Sequence, residues 1–259
     1  MRKEPAREVN RRELLAFTAA FGTAAAAEGL SNHDGLLGGP IRSYTNALPW
    51  SDGLTDAPDD AEPGGWKFLN SGEVAFLTAA VDRMIPADST GPSASEAGVV
   101  RFLDSQLAGD YGKGAHFYLG GPWQEGTPSQ GYQSRFTPAQ FYRNAIASIE
   151  RAVSKSHNGK AFNDLAAEAQ DGLLKQLESG DLRLDGPVPS KAFFTMFLQN
   201  VLEGYFSDPI YGGNKDASAW KMIGFPGAHY DYSDWVTAYN RPVPVETVGL
   251  IGRPAWRRG

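Results

Sequence analysis

The chain has 259 residues, 41% hydrophobic and 21% charged, which is ordinary globular usage with enough apolar material for a core. Its formal net charge is −6 and its body has no basic run, so it lacks the concentrated positive patch of a nucleic-acid binder. It has no cysteine, which excludes disulfides, thiolate-held iron–sulfur clusters and C-x-x-C-H haem attachment.

Residues 1–27 read as an export leader. Arg2, Lys3, Arg7, Arg11 and Arg12 precede an apolar run at 14–27, LLAFTAAFGTAAAA. As a helix that run spans about 21 Å, against roughly 30 Å of bilayer hydrocarbon. It is too short to cross a membrane and the right length for a signal-peptide apolar region. The Arg11-Arg12 pair directly before it, followed by Glu13, Leu14 and Leu15, has the form of a twin-arginine signal. An amphipathic N-terminal helix is the alternative. Against it, Thr18 and Thr23 are the only polar side chains of the run, and they make no polar face. Cleavage is expected after Ala26 or Ala27, and losing the leader lowers the net charge from −6 to −8. No later stretch is long enough to span a bilayer, so membrane attachment is expected only through partners.

Residues 28–65 are rich in Gly, Pro, Asp, Ser and Asn, with isolated Tyr44, Leu48, Trp50 and Leu54. They read as an extended arm, either a solvated linker or a strap lying on a partner with Trp50 and Trp66 as anchors. Residues 66–259 are expected to be mainly α: one irregular helical domain with long Gly/Pro/aromatic loops and extended N- and C-terminal arms.

Within that body, Asn70 or Ser71 caps a helix carrying Val74, Leu77, Val81 and Met84, which Pro86 ends. A second helix is expected to start at Ser95-Glu96 and to bury Val99, Val100, Leu103 and Leu107. Residues 109–136 show neither strand nor helix period. Their density of Gly, Pro and aromatics marks either an interface, with Trp123 and Tyr132 as anchors, or a self-packed loop. Thr137-Pro138 starts a long helix that ends near Ser156, with Asn158-Gly159 as its stop. Residues 162–177 form a helix or a broken pair, closed by Ser179-Gly180. Ser190 opens the most apolar element, KAFFTMFLQNVLEGYF, whose apolar residues cover nearly all faces, so it is expected to be central. Asp208-Pro209 and Gly212-Gly213-Asn214 are turn chemistry. A short helix follows at 217–223, and the tail after Trp235 is expected to drape over the body.

Chemical motifs are missing. There is no G-x-G-x-x-G after a strand, no P-loop, no H-E-x-x-H and no G-x-S-x-G. His33, His116, His157 and His229 have no helical pairing, so a histidine metal site would need a long-range assembly. No catalytic, cofactor-binding or metal-binding residue is assigned.

Two segments carry a resemblance. In residues 76–109, Ile85-Pro86-Ala87-Asp88, Gly91-Pro92, Ala97-Gly98-Val99 and Phe102-Leu103-Asp104 look like the opening block of the gluconate 2-dehydrogenase subunit 3 family. In residues 193–228, the closing block is matched by Glu203-Gly204, Phe206-Ser207-Asp208-Pro209, Tyr211-Gly212-Gly213-Asn214, Trp220 and Gly224-Phe225-Pro226-Gly227. The likeness covers roughly residues 70–228; the 110–136 loop and the acidic 28–65 arm are less familiar.

The resemblance implies a small subunit without a redox group of its own, partnered with a flavoprotein of the glucose–methanol–choline type. That large subunit holds FAD and oxidises a sugar or sugar acid, and a multihaem cytochrome c takes the electrons. The resemblance further implies that the small subunit stabilises the flavoprotein and carries its export signal, Arg11 and Arg12, to the twin-arginine translocon. The complex then sits in the periplasm at the inner membrane. Candidate partner contacts are Trp123, Tyr132, Tyr211, Trp220 and Phe225. Two other readings stay open. One is a free-standing exported enzyme using Asp88, His116, Asp208 or His229. The other is a carbohydrate-binding module.

Overall fold

A computed structural model describes residues 65–250, apart from 118, 122, 124, 125, 128, 129, 230, 238 and 242–244. Arg11, Arg12, the leader and most of the 28–65 arm lie outside the described residues. Among those described there are seven α-helices, four 3-10 turns and no strand. None of these helices is long and apolar enough to cross a membrane. The mainly α expectation holds.

Helix α1, Ser71–Met84, begins where local chemistry says it should. Asn70 Oδ1 accepts the Glu73 amide while Glu73 Oε2 accepts the Asn70 amide, each at 2.9 Å. It buries Phe76, Leu77, Ala80 and Val81 and stops before Pro86.

Helix α2, Val99–Ala108, starts four residues later than Ser95. The Ser93–Glu96 pair makes a reciprocal cap, with Ser93 N on Glu96 Oε2 at 2.8 Å, but around a turn. Gly98, at φ +85, then breaks the chain direction. Ser95 is held by the Asp82 carboxylate of α1, which takes its amide at 2.8 Å and its hydroxyl at 2.7 Å.

A four-residue helix α3, Asp110–Lys113, follows, inside the segment expected to be irregular. Helix α4, Pro138–Ser156, carries the expected Thr137 cap and is stopped by positive φ at Asn158 and Gly159. Residues 162–179 are a broken pair, a 3-10 turn at Phe162–Asp164 and then α5, Ala167–Ser179. Helix α6, Ser190–Phe206, packs on α2, α4, α5 and α7, Ser218–Ile223. It buries Phe193, Phe197, Val201 and Tyr205 at four-residue steps. The opposite strip, Ala192, Thr195, Gln199 and Glu203, is exposed, so α6 is central without being enclosed on all sides.

Aromatic packing fills the middle. Phe193 and Phe197 stack with centroids 5.5 Å apart, and Tyr142 of α4 meets both edge-on. Phe76 packs on Phe162 at 5.0 Å, tying α1 to the 3-10 turn. Truncating any of these buried rings to Ala would cost about 3–5 kcal/mol.

Candidate functional site

The last turn of α6 and the segment that follows form an interlocked backbone. Gly213 crosses directly over Gly204, where a Cβ on Gly213 would sit 2.0 Å from the Gly204 carbonyl oxygen. A Cβ on Gly98, at the start of α2, would sit 2.6 Å from the Gly212 carbonyl oxygen. Only glycine permits either approach.

Asn214 is wholly buried and left-handed, at φ +46. Its Nδ2 donates to Ser207 O at 2.8 Å and its Oδ1 accepts the Ala219 amide at 2.9 Å. Lys215 N reaches back to Ala97 O at 3.0 Å. The chain then runs through positive φ at Asp216 and Ala217. An alanine there costs roughly 1–2 kcal/mol, a strain that persists only where surrounding bonds over-determine the backbone.

Asp208 fixes the other side. Its Oδ1 accepts the Ile210 amide at 3.0 Å and its Oδ2 accepts the Leu250 amide at 2.8 Å. The tail returns along residues 226–228, with Val248 N donating to Pro226 O at 3.1 Å and Ala228 N to Val248 O at 2.6 Å. Val248 is buried. The expected draping of the C-terminal tail is therefore real over 246–250.

Large apolar side chains stand outward on this scaffold: Tyr211 is 52% exposed, Ile223 50%, Phe225 42% and Leu250 48%. Single exposed apolar residues are ordinary. Here four come from one hydrogen-bonded unit spanning 204–228 and its returning tail. The unit therefore presents contact area on a backbone that has little freedom left to lose on binding.

Trp220, expected at an interface, lies inside. It is 7% exposed, its Nε1 donates to Phe206 O at 2.8 Å, and its ring meets Phe225 edge-on at 5.0 Å. It satisfies a carbonyl that the end of α6 leaves open and supports Phe225 from beneath. Tyr132 is also turned inward. Its hydroxyl donates to Phe136 O at 2.6 Å, and its ring packs on Phe117 and Phe141. Burial pushes its phenol pKa up. Trp123 is 53% exposed and covers Gly121. Tyr132 is thus packed against Phe117 and α4, while Trp123 stands outward.

The four residues of the enzyme reading are not brought together. Asp88 Oδ1 accepts the Thr90 and Gly91 amides in a local turn. Asp208 works as the clasp above, and His229 Nε2 meets Glu246 O at 2.9 Å. His116 is exposed. No group of three or more His, Asp or Glu among the described residues could hold a metal ion.

Sequence reasoning missed two buried polar residues. Asp104, 2% exposed in α2, accepts the amides of Lys67, Phe68 and Leu69 at 2.8–2.9 Å. Trp66 and Phe68, from the same segment, lie under the guanidinium groups of Arg101 at 4.0 Å and Arg143 at 4.3 Å. A carboxylate on the Val100–Leu103–Leu107 stripe was the available signal.

Asn200, in α6, accepts from Tyr111 at 3.0 Å and Tyr142 at 2.8 Å and donates to Glu203 at 2.9 Å. Burial first of all raises the Tyr111 hydroxyl to about 12, and that of Tyr142 well above its ordinary value. Tyr111 and Asn200 line a cavity of about 20 Å³.

A family model described as gluconate 2-dehydrogenase subunit 3 matches residues 71–227, more than half of the chain. The match ends at Gly227 and so takes in the glycine interlock, Asn214 and Trp220. No curated protein and no solved structure matches.

Proposed function

The chain belongs to the gluconate 2-dehydrogenase subunit 3 family, and from that premise we propose that it is the docking subunit of a multi-subunit sugar or sugar-acid dehydrogenase. The observation that carries this reading is the outward set Tyr211, Ile223, Phe225 and Leu250, mounted on the glycine-interlocked 204–228 unit. The partner it serves is a flavoprotein of the glucose–methanol–choline type that holds FAD, with a multihaem cytochrome c as electron acceptor. The small subunit stabilises the flavoprotein and brings no redox group.

The leader reading joins this role. Arg11 and Arg12 direct the folded pair to the twin-arginine translocon and so to the periplasm. A flavoprotein that acquires FAD by folding in the cytoplasm leaves by that route only when bound to a chain that has the signal.

The test is a co-purification from membranes of cells expressing the full complex. The wild-type chain retains the flavoprotein. Replacing Tyr211, Ile223 and Phe225 together by Ser releases it, since central anchors cost about 2 kcal/mol or more each when truncated. The three side chains are half in water already, so the helical circular dichroism of the variant stays unchanged. Retention of the flavoprotein by the folded triple variant refutes the docking face. Export is tested separately: changing Arg11 and Arg12 to Lys leaves both chains in the cytoplasm, and a flavoprotein still found in the periplasm removes the export role.

A further inference from the structure

A second concavity of about 570 Å³ lies between the C-terminal half of α4, α5 and the turn at 182–185. None of its lining residues belongs to the docking face. Its floor is apolar: Leu173 is buried, and Leu182 and Ala152 are half-buried. Its rim is charged and unbalanced.

Arg151 and Asp185 cancel each other. Arg151 Nε and Nη2 donate to the Asp185 carboxylate at 2.9 and 2.7 Å, a two-point pair that holds Asp185 ionised and pins the 182–185 turn to α4. Lys155 and Arg183 remain. Both are exposed, and neither has a carboxylate partner among the described residues. A chain with a net charge of −6 therefore places two uncompensated cations around one recess with an apolar floor.

Such a recess has the size and make-up of a small-molecule site, which is typically about 300–1,000 Å³, mainly apolar, with a few convergent polar groups. A rim of net positive charge also concentrates the field and draws in anions. We propose that this concavity binds a small organic anion, a carboxylate or phosphate carried on an apolar body. Lys155 and Arg183 take the oxyanion, and the body lies on Leu173 and Leu182. Arg183 offers the planar fork that fits an oxyanion at two points, and Lys155 adds a mobile point charge. The Gln176 side chain, on the same wall, can serve a neutral oxygen of the ligand.

The test is an amide and methyl NMR titration of the full chain with hexanoate, hexyl phosphate, acetate and hexanol. Hexanoate or hexyl phosphate shifts the amides of Lys155 and Arg183 and the methyls of Leu173 and Leu182, saturably. Acetate, which lacks the body, binds about tenfold more weakly, the effect of burying roughly two methylene groups. The Lys155→Ala/Arg183→Ala variant, whose replaced side chains are exposed, keeps its fold and binds about tenfold more weakly or worse, the loss of charge-assisted bonds.

A parallel arm spins the chain down with phosphatidylglycerol vesicles. Co-sedimentation that the double variant loses assigns the anion to a lipid headgroup and leaves the shared chemistry standing. Equal shifts from hexanol and hexanoate, unchanged affinity in the double variant, or no response to any anion and no vesicle binding each overturn the proposal.

Discussion

The Asp104 carboxylate of α2 and the Leu69 amide meet at 2.9 Å with both residues buried. Two further amides, from Lys67 and Phe68, share that carboxylate, so one side chain fixes the point where the chain enters the helical body. In Asp104→Asn the shape is kept, but one acceptor becomes a donor facing donors. The expected loss is about 1–3 kcal/mol, read as a lower urea midpoint with an unchanged slope. Limited proteolysis should add a new cut within 65–70, because Trp66 and Phe68 lose their backbone hold beneath Arg101 and Arg143. An unchanged midpoint and digestion pattern would show that the clamp contributes nothing.

The glycine interlock makes opposite predictions for two substitutions of the same kind. In Gly213→Ala the new methyl meets the Gly204 carbonyl at 2.0 Å, backbone against backbone, with no flexible side chain to yield. A loss of about 3 kcal/mol or more follows, or the failure of the 204–228 unit to form. In Gly172→Ala, inside α5, the methyl meets nothing within 4 Å. That change should stabilise by about 0.5–1 kcal/mol through helix propensity. Paired urea melts settle both, and a tolerated Gly213→Ala would mean that the crossing is looser than the geometry implies.

These elements also show what local sequence could and could not reveal. The starts of α1 and α4 were legible because Asn70 with Glu73, and Thr137 with Pro138, act within one turn of chain. The start of α2 was not. Ser93 and Glu96 carry the same three-residue signature, but it closes a turn, with left-handed Gly98 behind it and Asp82, brought across from α1, holding Ser95. Turn chemistry at Gly212–Asn214 was readable, but what the turn touches was not, since Gly204 and Ala97 reach it only through folding. Trp220 illustrates the limit for the site itself. An aromatic in a loop-rich stretch looks like an anchor, yet the open carbonyl of Phe206 and the ring of Phe225 draw it inside. The anion recess left no local trace, because Arg151 and Asp185 are 34 residues apart.

Acid titration should reveal two carboxylates acting in opposite senses. The hydrogen bonds from Arg83, at 2.7 Å each, hold Asp171 below its ordinary 3.8. A depressed folded-state value contributes stability above 3.8 that is lost as pH falls through the folded value. Both side chains are about a third exposed, so the contribution is at most about 1 kcal/mol. Glu150 is raised above its ordinary 4.5, chiefly by burial beside Phe162. Its contribution is present below 4.5 and is lost as pH rises through the folded value. Asp171→Asn should flatten the acid side of a stability–pH curve, while Glu150→Gln should raise stability on the alkaline side of 4.5. Superimposable curves for wild type and both variants would show that neither shift is real.

The Asn200 network separates a hydroxyl that water can rescue from one it cannot. Tyr142→Phe removes one donor to Asn200 and should cost about 1 kcal/mol, the net worth of an ordinary hydrogen bond. Asn200→Leu does more harm, because both tyrosine hydroxyls lose their acceptor at once. Tyr111 lines the 20 Å³ cavity, which has room for about one water. Tyr142 is fully buried and does not line it. In the Asn200→Leu background, Tyr142→Phe should therefore restore roughly 1–2 kcal/mol by deleting an orphaned hydroxyl. Tyr111→Phe should restore little, since the cavity gives water room to reach that hydroxyl once Asn200 is gone. A double-mutant cycle on urea midpoints measures the two couplings. Equal rescue by the two replacements would place the hydroxyls in equivalent surroundings and contradict the position of the cavity.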